Sequence, residues 1–361
     1  MTGVYRHFFS LLRVALYKGE LNLTSLRDFS EWQLLYDLSV DQGVLAIVWD
    51  GLQKLPAELQ PPRELRLRWA YNVEQIERYY GKQRNAIEHL AEFYCSQGIS
   101  LMLLKGYGLS LCYPVSEHRP CGDIDIWLFG RQQEADKLMR RYLGITIDED
   151  VHHHTTFRFE SILVENHYDF INVHAHASNR KIERLLTEYA AEPGEKINLG
   201  DETFYLPPPQ FNALFLLRHA AMHFAAEKIG MRHIVDWAMF IDRYSEKIDW
   251  KSLDAIAREM NMHRFLYCLN AIAIDCLGLD AVKVPAFERN TQLEQRVLSE
   301  ILLPGFNEES PHGNMIRIIW FKFRRWWANR WKHRIVYREG LFRSFIQSVW
   351  SHLLKPRTIT H

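Results

Sequence analysis

Two aspartates separated by one residue, Asp123 and Asp125, are the side chains of this sequence best placed to do chemistry. They lie in a β-rich run that ends at Phe129, so both are predicted on one face of a strand, about 6–7 Å apart at a rise of roughly 3.3 Å per residue. Carboxylates held this close repel each other unless a cation lies between them. Magnesium prefers oxygen ligands and commonly accompanies triphosphates, so the pair is a candidate magnesium site.

Glu165 is the candidate for a third carboxylate. Residues 155–170 are rich in strand-forming residues on both sides of Glu160 and Ser161, which predicts a β-hairpin turned at that pair. Glu165 lies in the second arm, and His167 shares its face at i+2, as does Asp169 at i+4. A hairpin beside the aspartate strand can bring this carboxylate to the same metal ions.

A glycine turn precedes the aspartates. Residues 99–104 form an apolar run that predicts a strand, Lys105 and Gly106 end it, and residues 107–113 predict a short helix closed by Pro114. Glycine at such a turn lets a phosphate approach backbone N–H groups at a helix N-terminus, where the dipole favours an anion. Together, the turn and the carboxylates predict a site for a nucleoside triphosphate bound through magnesium.

Four short motifs follow one another in this part of the chain: Lys105-Gly106, Tyr113-Pro114, Arg119 followed by Gly122-Asp-Ile-Asp125, and Val164-Glu-Asn-His-Tyr168. In this order they resemble the uncharacterised nucleotidyltransferase family of bacteria, which belongs to the DNA polymerase β-type nucleotidyltransferase superfamily. The resemblance extends over roughly residues 30–245 and includes a later histidine-rich helix.

The resemblance implies an enzyme that moves a nucleoside monophosphate from a nucleoside triphosphate, such as ATP, to an acceptor hydroxyl with two magnesium ions. Asp123, Asp125 and Glu165 would be the catalytic carboxylates and the metal ligands. The acceptor is left open among a protein side chain, an RNA end, a sugar and another small molecule. Six further residues are candidates for contact with the nucleotide: Lys105, Gly106, Ser110, Arg119, His167 and Arg232.

Two residues depart from the superfamily pattern. Tyr107 follows Gly106 where the superfamily loop has a serine whose hydroxyl contacts a phosphate, and Ser110 lies one helical turn later. The third carboxylate, Glu165, is one methylene longer than the commoner aspartate. A second hypothesis is therefore a catalytically weak nucleotide-binding or scaffold protein, with action at a membrane surface as one form of it.

Several basic residues have more than one candidate role. Lys105 and Arg119 can contact a phosphate or pair with one of the aspartates. Arg218 and Arg232 are candidate clamps for the triphosphate, because a planar guanidinium matches two phosphate oxygens at once.

The histidines also leave alternatives open. Residues 152–154 are three consecutive histidines, for which a surface loop is the default and a position near the phosphates the alternative. His167 can orient Glu165 or contact the substrate. His219 and His223 share one face of a helix, where they can contact substrate, pack, or bind zinc with a third ligand.

The sequence predicts an α+β protein: a small nucleotidyltransferase-like mixed β-sheet core flanked by N-terminal and C-terminal helical regions. Residues 281–313 lack a clear period, and we expect them to be loosely structured. Four regions are predicted, namely a helical region at 1–97, the α/β core at 98–206, a helical domain at 207–313 and a basic, Trp/Arg-rich helical tail at 314–361.

The cysteines and the apolar runs indicate where the protein acts. Five cysteines without a Cys-x-x-Cys motif are typical of reduced thiols, and we expect a cytoplasmic protein. The first 19 residues favour an amphipathic helix over a signal peptide. The sequence predicts no transmembrane span, because no apolar run approaches the roughly 18 residues that one needs.

The tail carries the charge asymmetry of the chain. Residues 315–361 contain eleven Lys and Arg against one acidic residue, whereas the whole chain has 44 of each sign, so the remainder is net acidic. Tryptophans are interleaved with these cations. The tail can dock on the acidic body, make peripheral contact with an anionic membrane surface, or bind RNA by stacking and phosphate attraction.

Overall fold

The computed structural model describes residues 3–17, 19, 23–149, 153–174, 176–226, 228–306 and 315–340. The chain begins with helices, as the spacing of its apolar residues predicts. The longest of them starts directly after Pro62, where proline cannot continue a preceding helix but suits a helix start. The N-terminal helices are α1 (Gly3–Tyr17), α2 (Trp32–Asp41), α3 (Leu45–Leu52) and α4 (Arg63–Ser96).

A six-stranded mixed sheet follows, in the order β3-β4-β2-β1-β6-β5. β2 runs parallel to β4 and β1 runs parallel to β6, while the other neighbours are antiparallel. The predicted α+β class and mixed sheet are confirmed. The strands are β1 (Met102–Leu103), β2 (Ile124–Trp127), β3 (His154–Phe159), β4 (Ile162–His167), β5 (Lys196–Leu199) and β6 (Glu202–Tyr205).

Two helices lie between the first three strands, and the remaining helices follow the β3–β4 hairpin. Among the described residues, no helix is long and apolar enough to cross a membrane. The helices are α5 (Gly106–Ser110), α6 (Gln132–Leu143), α7 (Asn179–Tyr189), α8 (Pro209–Ala226), α9 (Met231–Tyr244), α10 (Trp250–Glu259), α11 (His263–Ile272, continued by the π-turn Ala273–Leu277), α12 (Thr291–Leu302) and α13 (Met315–Val336).

The sequence-based expectation was wrong for one of these elements. Residues 281–313 were expected to be loose, yet they contain α12. Its signal was present in the sequence, because Asn290 caps the helix by accepting a hydrogen bond from the Leu293 N–H at 3.0 Å. The predicted helix after the glycine turn is shorter than expected, since α5 ends at Ser110.

The β3–β4 hairpin turns at the predicted pair. Glu160 and Ser161 have positive φ angles of 48° and 70°, a two-residue turn whose twist suits a hairpin. The pairing then sets the register of the site: Asp125 of β2 lies beside Glu165 of β4. Two residues further along β4, His167 lies between Trp127 of β2 and His154 of β3. All of these side chains therefore share one face of the sheet.

The alternation of β2 sends its side chains to two different environments. Ile124 and Ile126 pack in a hydrophobic cluster with α4 and α6 on one face. Asp125 and Trp127 point to the other face, toward the helices that follow the sheet. A second cluster there joins α1–α3 with α8, α9 and α11. The boundaries predicted at residues 97, 206 and 313 stay predictions.

His118 ties the segment before the aspartates to two helices. Its Nδ1 lies 2.8 Å from the Asp50 carboxylate of α3, and its Nε2 lies 2.9 Å from Glu77 of α4. Burial alone would lower the pKa of His118, but the hydrogen bonds with Asp50 and Glu77 outweigh it and raise the pKa above 6.5. The imidazolium thus stabilises the fold below that pH, and this contribution is lost as pH rises through the raised pKa.

We therefore expect the melting temperature of the wild type to fall more steeply than that of His118→Gln as pH rises from 6.5 through the raised pKa of His118. Thermal unfolding by circular dichroism across this range measures the difference. His89→Gln is the control, because His89 makes a comparable contact with Glu160 at an exposed site, where screening leaves little net stability. Parallel curves for the wild type and His118→Gln would show that the pair of carboxylates does not stabilise the imidazolium.

Candidate active site

A cavity of about 580 Å³ lies between the face of the sheet that carries Asp125 and Glu165 and helices α8 and α9. Its floor comes from β2, β4 and the turn after β1, and its opposite wall comes from the two helices. Five of the predicted residues form the polar part of the floor: Lys105, Asp123, Asp125, Glu165 and His167.

The parallel pairing of β2 with β4 brings the carboxylates together. Asp125 is only 4% exposed, and Glu165 lies beside it in register. One oxygen of each carboxylate and a ring nitrogen of His167 lie within 4.8 Å of one another. Asp123 also lines the cavity, just before the start of β2, but is not a member of that compact group.

Two cationic side chains converge on one oxygen of the buried aspartate. The Lys105 ammonium lies 2.9 Å from Asp125 Oδ1, and His167 Nε2 lies 2.9 Å from the same atom. Burial would raise the pKa of Asp125, but the charge of Lys105 and the hydrogen bond from His167 outweigh it and hold that pKa well below its usual range. The carboxylate therefore stays ionised in an environment that would otherwise protonate it.

The same contacts act on the partners. Burial would lower the pKa of His167, yet its hydrogen bonds with Asp125 and Glu165 raise it to about 9. His167 is thus a cation near neutral pH. For Asp123, burial and the neighbouring charges of Asp125 and Glu165 raise the pKa. The floor therefore holds three carboxylates against two cations, Lys105 and His167, and a divalent cation would relieve the repulsion that helps to raise the pKa of Asp123.

Helix α4 positions the start of β2. The Tyr79 hydroxyl donates to the Gly122 carbonyl at 2.7 Å, and the Gln83 amide donates to the carbonyls of Gly122 and Asp123 at 3.0 and 3.3 Å. Gly106 packs against the same segment, since a Cβ on it would lie 3.3 Å from the Asp123 carbonyl oxygen. Its φ of +48° also favours glycine, so the turn and the aspartate strand fit closely only without a side chain.

Ser110 does not reach the cavity. Its buried hydroxyl donates to the Tyr107 carbonyl at 2.7 Å and lies 3.1 Å from the Tyr80 hydroxyl. The Tyr107 ring stacks on Tyr80, with ring centroids 5.0 Å apart. The short α5 turns both side chains toward α4 and away from the carboxylates, so the expected contact of Ser110 with a nucleotide has no support in this arrangement.

Arg119 lines the cavity, but its guanidinium is already paired. Its Nε and Nη2 donate to the two oxygens of Asp236 on α9, at 2.7 and 3.0 Å, and the Tyr113 hydroxyl donates to the same carboxylate at 2.5 Å. Burial would raise the pKa of Asp236, but the charge of Arg119 outweighs it and lowers that pKa. Of the two readings for Arg119, pairing with an acid is the observed one, although the partner is not one of the two predicted aspartates.

The two other candidate arginines differ from each other. Arg232 lines the cavity and donates to the Pro120 carbonyl at 3.3 Å. Arg218 is fully buried elsewhere, where it donates to Asn179 Oδ1 and to the Val336 carbonyl. The predicted clamp role of Arg218 is therefore wrong, because its side chain joins α7 and α13 rather than facing the carboxylates.

The consecutive histidines are placed differently from the default expectation. His154 begins β3 in register with His167 and is buried, and His153 also lines the cavity. A surface loop is therefore wrong for these two residues, while His152 lies outside the described residues. Burial, followed by the charges of neighbouring groups, lowers the pKa of His153 to about 2; burial lowers that of His154 to about 4. Both are neutral imidazoles beside the carboxylates.

The opposite side of the cavity is a histidine wall, formed by His219 and His223 on α8 and His233 on α9. The rings of His219 and His223 lie 4.4 Å apart. Burial is the main cause that lowers the pKa of His219 well below 6.5 and that of His233 to about 4. Within the described chain, neither His219 nor His223 belongs to a cluster of three potential metal ligands, so the zinc alternative has no support.

The sequence predicted the floor of this cavity better than its surroundings. For His153 and His154 a position near the phosphates was only the alternative to a surface loop, and only the tertiary structure brings them to the cavity together with His233 and Asp236. The consecutive histidines and the Arg-rich, His-rich segment at the start of α9 were the available signals.

The family of proteins described as uncharacterised nucleotidyltransferases matches residues 28–278 of the chain. This segment contains the six strands found in the described part of the chain and every residue that lines the cavity. Comparisons with curated proteins and with solved structures gave no match.

We expect Asp236→Asn to lower the free energy of unfolding by about 3–5 kcal/mol, because it leaves the buried Arg119 charge without its partner. Urea unfolding measures this change. Arg119→Met combined with Asp236→Leu should be less damaging than Asp236→Asn alone, since no buried charge remains unpaired. Arg232→Met is the control, with an expected change below about 1 kcal/mol, and a similar loss for all variants would contradict the pairing argument.

Proposed function

Because this chain belongs to the uncharacterised nucleotidyltransferase family, we propose that it transfers a nucleoside monophosphate from a nucleoside triphosphate to an acceptor hydroxyl in the cavity beside β2 and β4. The observation that carries the proposal is the register that sets Asp125 beside Glu165, with Asp123 just before the start of the same strand. These are the three carboxylates on which transfer would depend.

The donor set fits divalent cations. Oxygens of Asp125 and Glu165 lie close enough to share one ion, and the adjacent Asp123 can extend the site to a second. We propose magnesium, for which carboxylate oxygens are suitable ligands. When bound, two such ions neutralise the triphosphate and activate the acceptor hydroxyl.

The remaining polar residues are suited to the substrate. The Lys105 ammonium and the Arg232 guanidinium line the same cavity and can neutralise phosphate oxygens. The neutral imidazoles of His219 and His233 can each donate one hydrogen bond to a phosphate or to the acceptor. Gly106 leaves its backbone open to close approach by a phosphate.

The reaction proposed for this arrangement is an in-line displacement. The oxygen of the acceptor hydroxyl forms a bond to the α-phosphorus, and the bond from that phosphorus to the bridging oxygen of the β-phosphate breaks. Pyrophosphate leaves with the electron pair of the broken bond. The proton of the hydroxyl passes to a carboxylate of the floor and then to water, and the protein contributes positioning and charge rather than a covalent intermediate.

Thermal shift with each of the four ribonucleoside triphosphates, with and without magnesium, tests this proposal. We expect at least one triphosphate to stabilise the wild type only when the metal is present. Stabilisation of about 2.7 kcal/mol corresponds to a ligand at a hundred times its Kd. The double variant Asp123→Asn/Asp125→Asn should lose the effect. Asp201→Asn, in the exposed turn between β5 and β6, is the control that should keep it.

Transfer itself is tested with a triphosphate labelled at the α-phosphate and extracts as the source of acceptors. Glu165→Gln should lower the labelling rate by about 100-fold or more while changing triphosphate affinity little. Metal-dependent binding without any transfer would favour the alternative, a nucleotide-binding or scaffold protein. Absence of binding at millimolar triphosphate would contradict both.

Lys105 gives a separate prediction, because its ammonium competes with a metal ion for Asp125. Lys105→Gln should raise the affinity for Mn²⁺ in the absence of nucleotide by roughly ten-fold, equivalent to about 1.4 kcal/mol, and should weaken triphosphate binding. Titration followed by electron paramagnetic resonance measures the first effect. Lys196→Gln on the exposed side of β5 is the control, and loss of Mn²⁺ binding in Lys105→Gln would show that the lysine supports the metal site instead.

A further inference from the structure

Helix α13 is firmly seated on the body of the protein. Its inner face packs on α8 and α11, where Lys332 is buried and lies 2.7 Å from Glu300 of α12. Trp331 meets Phe224 edge to face at 5.7 Å, and the Val336 carbonyl accepts a hydrogen bond from the buried Arg218. The inner face of α13 therefore docks on the body of the protein, which was one of the three alternatives for the tail.

The outer face of α13 has an unusual composition. Among the side chains described for this helix, the exposed ones recur every three or four positions, and all of them are arginine or tryptophan. We call this surface the Arg–Trp face: Arg317, Trp320, Arg324, Trp327, Arg330 and Arg334. Trp320 and Trp327 are 61% and 54% exposed, and seven residues place them on one side of the helix about 10 Å apart.

The ring contacts strengthen this pattern. Phe323 stacks between the two tryptophans, with centroid distances of 5.6 Å to Trp320 and 6.5 Å to Trp327, and the Arg330 guanidinium lies 4.7 Å from the Trp327 ring centre. Within the whole of residues 315–340, Glu339 is the sole acidic residue of the sequence. Large exposed aromatic surface ringed by one sign of charge is typical of an interaction site rather than of ordinary solvent-facing surface.

We propose that the Arg–Trp face binds the surface of an anionic lipid bilayer, with α13 lying parallel to the membrane. The charge is complementary, because arginines near an anionic surface are attracted to it. Tryptophan rings favour the headgroup region, where their apolar body and N–H group are both accommodated. A helix of 22 residues, about 33 Å long, presents these groups along a line that a flat surface can contact at every turn.

The shape of the face favours lipid over the other partners. Single-stranded RNA is usually held in a basic groove with bases stacked on aromatic platforms, whereas this face is the convex outside of a single helix. An acidic protein partner would satisfy the arginines but would need a pocket for each tryptophan. The face does not need to insert as a spanning helix, which agrees with its charge content.

The test is flotation of the full chain with vesicles of phosphatidylcholine alone and with about 30% phosphatidylserine added. The wild type should float with the anionic vesicles only, and added salt should reduce the floating fraction. Trp320→Ser/Trp327→Ser should reduce it at least about ten-fold, and so should Arg324→Glu/Arg330→Glu. Leu67→Ser/Tyr71→Ser is the matched control, because both side chains are 61% exposed on α4 and should not matter.

Circular dichroism and thermal unfolding of each variant establish that it folds, and the outer positions make little contact with the core. Equal flotation of the Trp variant and the wild type would overturn the proposal, as would failure of the wild type to float. Fluorescence anisotropy with a labelled single-stranded RNA is run beside it. Binding to RNA at salt concentrations that release the vesicles, lost in the same variants, would assign the face to nucleic acid and overturn the lipid assignment.

Discussion

A buried carboxylate that must remain ionised constrains the whole region around it. Asp125 is the second residue of β2, and its chain neighbours Ile124 and Ile126 are apolar. Burial by itself would favour the protonated form of Asp125. Lys105 and His167 both contact one of its oxygens, so the charge is balanced from two sides. This arrangement explains why the lysine comes at the end of β1 and why the histidine comes two residues after Glu165: each position faces the same point of the sheet.

The helices that follow the sheet complete this environment without adding to its negative charge. α8 and α9 contribute the histidine wall, in which His219 and His233 are neutral, and the acid that they bring to the cavity, Asp236, is neutralised by Arg119. The negative charge of the cavity therefore comes from its floor, and Arg232 of α9 adds a cation to the opposite wall. This arrangement suits a polyanionic substrate. The carboxylates of the floor need cations, while the neutral side chains of the opposite wall offer hydrogen bonds and do not repel phosphate.

The sequence was sufficient to predict the elements whose signals are local. The β-rich run that ends at Phe129 predicted β2, the pair Glu160–Ser161 predicted the hairpin turn, and the i, i+2 spacing placed Glu165 and His167 on one face. It was not sufficient where the outcome depended on distant partners. Nothing near Arg119 indicates that its partner is on α9, and an arginine such as Arg218 gives no sign in sequence that it is fully buried. The missed helix α12 is different, because its Asn290 cap could have been recognised.

The sheet order has a consequence for how the chain reaches this state. β1 has two residues and depends on β2 on one side and on β6 on the other, and its partner Tyr205 is far along the sequence. His167 and Asp125 are separated by 42 positions. Contacts of such long range carry a loop-closure cost before they stabilise anything, so the floor of the cavity should form late during folding. A ribosome-bound chain that ends before β6 would then display the unpaired edge of β1, a state in which chaperone contact is most valuable.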